Sequence, residues 1–117
     1  MKLWKILLLL ISLASAGCQT TIAPDADPVV VRSQQALEIS FAVVDKFVAW
    51  EYKNQKVVSP DTHKVAETLR REFPPAFQIA MSLLSKYKSS RDAESKRLLV
   101  NYVDQVKNYA NLAQTVQ

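Results

Sequence analysis

Glycine is almost missing from this 117-residue chain, which contains a single glycine, Gly17. Phosphate-cradling loops and dinucleotide fingerprints need glycine for close backbone approach and for positive φ angles. The tight turns that close β-hairpins rely on glycine for the same reason. No such loop or hairpin is therefore expected beyond residue 17, and an all-α domain is predicted for the rest of the chain.

Long hydrophobic runs are also lacking, and cysteine occurs only at Cys18. The apolar run at 6–13 has about eight residues, whereas a membrane-spanning helix needs roughly 20. Lysines precede this run and small residues follow it. Because this layout is typical of a secretory signal, residues 1–17 are predicted to be a signal peptide that takes no part in the fold.

The stretch around Cys18 allows two processing schemes. The segment ASA at 14–16 is an A-x-A pattern, which an ordinary signal peptidase would cut after Ala16. Alternatively, SAG at 15–17 followed by Cys18 resembles the lipobox of bacterial lipoproteins. That resemblance implies cleavage between Gly17 and Cys18, diacylglycerol on the thiol, and acylation of the new amino terminus by a fatty acid such as palmitate.

The position of the only thiol favours the second scheme. Exported proteins pair their cysteines or avoid them, and the remaining alternative is a tolerated free cysteine near the start of the chain. Each buried lipid CH₂ contributes about 0.8 kcal/mol, so two or more acyl chains give stable anchoring. Cys18 is therefore interpreted as a membrane anchor. In the lipoproteins that this stretch resembles, a residue other than aspartate directly after the cysteine directs the protein to the outer membrane. That residue is Gln19 here, so the resemblance further implies an outer-membrane location facing the periplasm.

Charge of one sign is only slightly in excess, with 15 basic and 11 acidic residues and a net charge of +4. The predicted signal removes two lysines and no acid, which leaves +2 on the mature protein. A nucleic-acid partner is not expected from so small a surplus. The polar segment 18–28 contains Pro24 and Pro28 and is predicted to be a flexible tether, followed by a helical bundle domain at 29–117.

The first helix is predicted from Val29 to about Lys56, where apolar residues recur at the helical period of about 100° per residue. They form two neighbouring stripes. One contains Leu37, Phe41, Val44, Val48 and Tyr52, and the other contains Ala36, Ile39, Val43, Phe47 and Trp50. Since one docking partner requires an apolar arc of only about 100°, this broad arc predicts that the helix packs between two others.

The second helix is predicted to begin with Ser59 as its cap, followed by Pro60 and Asp61. Its apolar face is predicted to contain Val65, Ala66, Leu69, Phe73, Phe77, Ala80, Met81, Leu84 and Tyr87. Pro74-Pro75 interrupts this face, because proline removes a backbone donor and disfavours helical geometry before it. The pattern predicts either one long kinked helix or a break into two helices.

The last helix is predicted after the polar turn at 88–95, with Ser89 or Ser90 as its cap. Its apolar face is predicted to contain Leu98, Tyr102, Val106, Tyr109, Ala113 and Val116. Three segments joined by short turns predict an up-down-up three-helix bundle. A continuous coiled coil is the alternative, and the double proline counts against it.

Residues that could carry chemistry are few. His63 is the only histidine and falls in the first turn of the second helix, where a solvated side chain is expected; without further His or Cys ligands a metal or a cofactor is not predicted. Glu51 lies within the apolar arc of the first helix. It is interpreted either as part of a buried ion pair or partner-binding site together with Trp50, or as a side chain that extends to solvent at the end of the bundle, which is favoured.

The function predicted from these features is that of a non-enzymatic, lipid-anchored envelope protein. Its bundle is expected to bind another envelope protein or a second copy of itself, while the lipidated cysteine contacts the membrane. Two alternative functions stay open, because proteins of both kinds are similar to this chain in size and anchoring. One is a resemblance to pilotin-like lipoproteins, which carry a client to the outer membrane, and the other is a resemblance to phage or prophage lipoproteins acting in lysis or superinfection exclusion.

Overall fold

The bundle consists of three helices in a computed structural model that describes residues 27–116 and contains no strand within that range. Helix α1 spans Pro28–Lys53, α2 spans Pro60–Ser90 and α3 spans Ala93–Thr115. Each helix packs against both of the others. The predicted all-α, up-down-up architecture is therefore confirmed, as is the prediction that α1 packs between two neighbours.

Each helix begins at a side-chain cap. Asp27, Ser59 and Asp92 all accept a hydrogen bond from a backbone N–H in the first turn of their helix, which satisfies a donor that has no partner within the helix. The prediction for Ser59 is confirmed. The prediction of a serine cap for α3 is wrong, because the serines at 89–90 end α2 and Arg91 then adopts a left-handed conformation with φ of 56°.

The boundary between tether and bundle lies earlier than predicted. Asp27 and Pro28 were assigned to the tether, but Asp27 caps α1 and Pro28 is its first residue. Proline suits that position, because its fixed φ matches the helix and its missing N–H would have had no partner there. At its other end α1 stops at Lys53, before the predicted end at Lys56, and residues 54–57 form a turn.

Helix α2 continues through Pro74 and Pro75 without ending, so of the two predicted alternatives one long helix is present and the break into two helices is wrong. Neither proline can donate to the carbonyl four residues earlier, and an interior proline costs about 3 kcal/mol or more. Burial of the residues that flank the two prolines offsets this cost, since Phe73 and Ala76 are only 4% and 6% exposed. Tertiary packing therefore maintains the helix where the local sequence opposes it.

The core takes one stripe from each helix. The buried positions of α1 are Ser33, Leu37, Ser40, Val44, Phe47 and Glu51. Those of α2 are Thr62, Ala66, Leu69, Phe73, Ala76, Ala80, Leu84 and Tyr87, close to the predicted face. Those of α3 are Ser95, Leu99, Val103, Val106, Ala110 and Ala113, so its buried face is rotated from the predicted one toward Leu99 and Val103.

The outer parts of the predicted apolar arc of α1 remain outside the core. Ile39 and Tyr52 are 65% and 70% exposed, and Phe41 and Trp50 are also exposed. The broad apolar arc predicted for α1 is therefore only partly buried. No helix within residues 27–116 has the length and apolar character required to cross a bilayer.

Candidate functional site

The predicted processing site lies outside the described residues. This holds for the signal peptide at 1–17, for the cleavage position between Gly17 and Cys18, for the lipidated thiol of Cys18, and for the tether up to residue 26. The site residues that the structure places are Glu51 and Trp50, together with the only histidine, His63.

Glu51 lies in the last turn of α1 with its side chain fully buried. Arg70 Nη2 donates to Glu51 Oε2 at 2.5 Å, and His63 Nδ1 donates to Glu51 Oε1 at 2.5 Å. Both carboxylate oxygens therefore have a charged or polar partner on α2. The favoured sequence interpretation, that Glu51 extends to solvent, is wrong, because α2 covers the side of α1 on which Glu51 lies.

Local structure brings these three residues together. The turn after Lys53 reverses the chain, and the Ser59 cap starts α2 so that His63 and Arg70, two turns apart on one face of α2, project toward the end of α1. Arg70 Nη2 also donates to the backbone carbonyl of Val48 at 3.2 Å, and Arg70 Nη1 donates to Glu67 at 2.7 Å. The guanidinium is thereby held by several acceptors on α1 and α2.

The electrostatics of this cluster favour an ionised carboxylate. Burial by itself would raise the pKa of Glu51, but the hydrogen bonds from His63 and Arg70 outweigh burial, and the pKa is lowered from its ordinary value of 4.5. Within residues 27–116 every buried side-chain nitrogen or oxygen has a hydrogen-bond partner. The Glu51 cluster therefore joins α1 to α2 and offers no buried polar atom that lacks a partner.

Trp50 points away from this cluster. Its indole is stacked on Phe47, with ring centroids 6.2 Å apart, and the residue is 43% exposed. A binding partner could reach Trp50 directly, whereas Glu51 is closed off by α2. The two residues that were grouped from the sequence thus lie in different surroundings.

A groove of about 220 Å³ runs between α1 and α2 beside Arg70. Its apolar lining consists of Phe41, Val44, Val48, Leu69, Phe73 and Pro74, and its charged members are Asp45 and Arg70. Phe41 packs on Phe77 and Phe73 at centroid distances of 5.2 and 6.5 Å. This geometry suits an apolar side chain of a partner.

Two adjoining shallow pockets of about 440 and 240 Å³ lie between α1 and α3 and share Arg32, Ala36 and Lys107. Ile39 and Val43 also line the larger pocket. Both pockets are open and mix apolar with polar residues, so this side of the bundle is a surface rather than an enclosed ligand cavity.

A second polar cluster, which the sequence analysis missed, lies at the other end of the bundle. Tyr87 Oη and Arg91 Nη1 each donate to Asp27 Oδ2 at 2.7 Å. The hydrogen bond from Tyr87 is the main reason that the pKa of Asp27 is lowered. The pair Asp27-Pro28 was a recognisable start signal for a helix, but no local pattern indicated its partners Tyr87, in the last turn of α2, and Arg91, which directly follows α2.

The described part of the chain holds no group of three or more His, Cys, Asp or Glu side chains that could bind a metal ion. The side chain of His63 is half exposed, and its Nδ1 atom is hydrogen-bonded to Glu51. No known protein family matches the chain, and neither a curated protein nor a solved structure is significantly similar to it.

Proposed function

We propose that this protein is a non-enzymatic lipoprotein of the bacterial envelope whose bundle binds another envelope protein or a second copy of itself. One observation carries the binding role, namely the number of large apolar side chains that the bundle leaves exposed. They are Ile39, Phe41, Trp50, Tyr52, Val57, Ile79, Met81, Val100 and Leu112. Phe41 among them lines the groove between α1 and α2, and a contiguous exposed apolar surface of that kind marks an interaction site.

The exposed aromatic residues of α1 support a protein partner. Phe41, Trp50 and Tyr52 present large apolar areas with few rotatable bonds, and such residues contribute disproportionately to binding energy at protein interfaces. Arg70 and Glu51 hold the adjoining segments of α1 and α2 together. A surface fixed in this way loses little conformational entropy on binding.

The sequence around Cys18 supports the anchor. In the proposed arrangement diacylglycerol on Cys18 holds the protein in the outer membrane, with the bundle facing the periplasm. Asp27 caps α1 nine positions after Cys18, so the connecting chain spans at most about 30 Å. The lipid therefore keeps the bundle close to the membrane surface, where other envelope proteins are concentrated.

Photo-crosslinking in native membranes tests the binding role. A benzophenone amino acid replaces Tyr52, which is 70% exposed, or the exposed polar residue Gln105 on α3 as the matched control. We expect a discrete crosslinked product at position 52 and none at 105. Equal crosslinking at both positions, or none at either, would contradict a specific binding surface that includes Tyr52.

Mass spectrometry tests the anchor separately. The mature protein is expected to begin at Cys18 and to carry a diacylglycerol and an acyl chain, and Cys18→Ser is expected to move the protein from the membrane fraction to the soluble fraction. Recovery of the wild-type protein with an unmodified thiol would remove the anchor from the proposal while leaving the crosslinking result intact.

A further inference from the structure

The α1–α3 face is the side of the bundle on which the two shallow pockets open between α1 and α3. Both pockets are lined by Arg32 from α1 and by Lys107 from α3. Ile39 lines the larger pocket and Val100 lines the smaller one, and both are large exposed apolar residues. Cations and apolar side chains from two helices are thus presented together on one open surface.

The helical period extends this face along α1. Lys46 follows Ile39 by seven residues, and Trp50 follows Val43 of the larger pocket by seven. Residues seven apart lie within about 20° of each other around a helix, so Lys46 and Trp50 share this side. Both are exposed. The face therefore continues from Arg32 to Trp50, over about 27 Å of helix.

The exposed charges of the α1–α3 face are mostly positive. Arg32, Lys46 and Lys107 are all exposed, and none of them takes part in the ion pairs found within residues 27–116. Among the described residues, Asp104 is the only acidic one that lines either pocket. A surface with this excess of unpaired cations is complementary to an anionic partner.

The exposed acidic residues of α1 lie on its other flank, beside α2. Asp45 lines the groove between α1 and α2 together with Phe41. Glu38 precedes Asp45 by seven residues and Tyr52 follows it by seven, so both lie on the same flank as Asp45. The flank of α1 next to α3 is thus cationic, whereas the flank next to α2 combines the acids with Phe41 and Tyr52.

The proposed anchor determines which anionic surface is nearest to the bundle. The chain from Cys18 to Asp27 spans at most about 30 Å, so the membrane is present at a high effective concentration. Lipid surfaces bind basic residues that are mixed with apolar ones, because the cations meet phosphate headgroups and the apolar groups enter the boundary with the acyl chains. Tryptophan is especially suited to that boundary.

We propose that the α1–α3 face lies on the membrane in which the protein is anchored and binds its anionic phospholipids. The inference rests on the anchor of the proposed function and deepens it by fixing the orientation of the bundle. The helices lie parallel to the membrane, with Ile39 and Trp50 toward the lipid. The flank that contains Phe41 and Tyr52 is turned away from the lipid and stays accessible to a protein partner.

The fluorescence of Trp50 tests this orientation directly. Removal of the predicted signal peptide, which contains Trp4, leaves Trp50 as the only tryptophan of the processed lipoprotein. The lipoprotein is reconstituted into vesicles of brominated phosphatidylcholine, with or without brominated phosphatidylglycerol, and its emission is compared with that in the same lipids without bromine. We expect bromine to quench about half of the emission when phosphatidylglycerol is present, because an interfacial indole lies close to the acyl chains.

Salt and lipid charge test the electrostatic part. Quenching is expected to be about twofold weaker in 1 M than in 0.1 M salt, where the screening length is longer, and about twofold weaker in phosphatidylcholine alone. No quenching in the presence of phosphatidylglycerol would overturn the proposal. Quenching that depends on neither salt nor phosphatidylglycerol would overturn the binding of anionic lipid.

Charge reversal tests the residues of the face. Lys107→Glu is the most informative variant, because Lys107 lies on a different helix from Trp50 and its replacement leaves the surroundings of the indole intact. We expect about twofold weaker quenching in phosphatidylglycerol vesicles for Lys107→Glu and for Lys46→Glu. Lys64→Glu, at an exposed site on α2, is the matched control and is expected to match the wild type. Equal losses for Lys107→Glu and Lys64→Glu would overturn the assignment of this face.

Photo-crosslinking in native membranes distinguishes lipid from protein on this face. A benzophenone amino acid at Ile39, which is 65% exposed, is expected to form phospholipid adducts that mass spectrometry identifies, and no discrete protein product. A crosslinked protein or a covalent dimer at position 39 would overturn the proposal, since the face would then be covered by a protein or by a second copy.

The anchor and the face can fail separately. A lipoprotein that floats with phosphatidylcholine vesicles but whose Trp50 is unquenched with phosphatidylglycerol would retain the anchor and overturn only the inference. Conversely, an unmodified Cys18 thiol and no flotation with phosphatidylcholine would contradict the anchor. The unmodified processed protein is then added to the phosphatidylglycerol vesicles, where quenching of Trp50 would support the face by itself and its absence would overturn the face as well.

Discussion

The two polar clusters of this bundle join the same two helices at opposite ends and differ in their exposure to water. Glu51 is fully buried beneath Arg70 and His63, whereas Asp27 meets Tyr87 and Arg91 at the surface, with 19% of its side chain exposed. Each cluster combines one carboxylate with an arginine and a ring. The buried carboxylate would be costly without its partners, while water can replace the partners of the exposed one.

This comparison shows that similar contacts contribute different amounts to the free energy of unfolding. At the Glu51 end, loss of a partner leaves a buried carboxylate without full charge compensation. At the Asp27 end, the same loss leaves a solvated carboxylate that still caps α1. The following expectations rank the contacts of the two clusters by that difference.

The largest effect is expected from Arg70→Met, which removes the guanidinium and leaves Glu51 buried with His63 alone. We expect the free energy of unfolding to fall by about 2–3 kcal/mol, since breaking a buried pair leaves one charge uncompensated. Urea unfolding of the full-length protein followed by circular dichroism measures this loss. Arg71→Met is the matched control, because Arg71 is 72% exposed, and its effect is expected to stay within about 0.5 kcal/mol. Equal losses would contradict the role of the buried pair.

At acid pH, protonation of Glu51 should lower the free energy of unfolding more than protonation of Asp27 does. The pKa values of both carboxyls are lowered in the folded protein, from 4.5 for Glu51 and from 3.8 for Asp27. Their stabilisation is complete above those ordinary values and is lost as the pH falls through the lower folded pKa.

Unfolding measured between about pH 6 and pH 2 checks this expectation. Glu51→Gln should remove more of the acid-induced loss of stability than Asp27→Asn, because the partners of Glu51 act in a water-excluded site. A pH profile of Glu51→Gln that is parallel to that of the wild type would show that the Glu51 cluster contributes nothing to acid sensitivity.

A smaller effect is expected from Tyr87→Phe, which deletes the hydroxyl that donates to Asp27 and keeps the packed ring. The midpoint temperature of unfolding should fall by roughly 5 °C, the usual consequence of one lost hydrogen bond in a domain of this size. Tyr102→Phe on α3 is the control, because Tyr102 is a tyrosine that packs against the same core and is partly buried there. A larger decrease for Tyr102→Phe would contradict the contribution of the Asp27 contact.

The smallest effect is expected from Arg91→Gly. Arg91 has a left-handed φ of 56°, which glycine adopts without steric cost, but the change also removes the exposed ion pair with Asp27. The two contributions oppose each other, so the net change in unfolding free energy should stay within about 1 kcal/mol. Repeating the change in Asp27→Asn, where no ion pair can be lost, should make it stabilising. A destabilising effect in that background would exclude backbone relief at residue 91.

The sequence predicted local features well and pairings poorly. Ser59 and Pro60 indicated the start of α2, and the helical period identified Leu69, Phe73 and Leu84 as core residues. Both predictions succeeded because caps and amphipathic stripes depend on residues within a few positions of one another. The same period could not tell that Phe41 and Tyr52 would stay exposed. An apolar arc broader than one docking face leaves the rotation of the helix undetermined.

The candidate site divides in the same way. Glu51 stood out in the sequence as a charge on an apolar arc, and Trp50 as its aromatic neighbour. The partners of Glu51 lie 12 and 19 residues further along the chain, and no local signal pointed to them. The contact of Asp27 with Tyr87 spans 60 residues and was equally invisible.

By itself the sequence determined the helical class, two of the turns and the lipobox resemblance that predicts an anchor at Cys18. Only the tertiary structure decided that α2 runs unbroken through Pro74 and Pro75, that His63 and Arg70 of α2 bind Glu51, and that Phe41 and Tyr52 lie outside the core formed by the described residues. The reason is physical. Propensity, capping and period act within a few residues, whereas the relative rotation and position of packed helices arise from the burial of all three together.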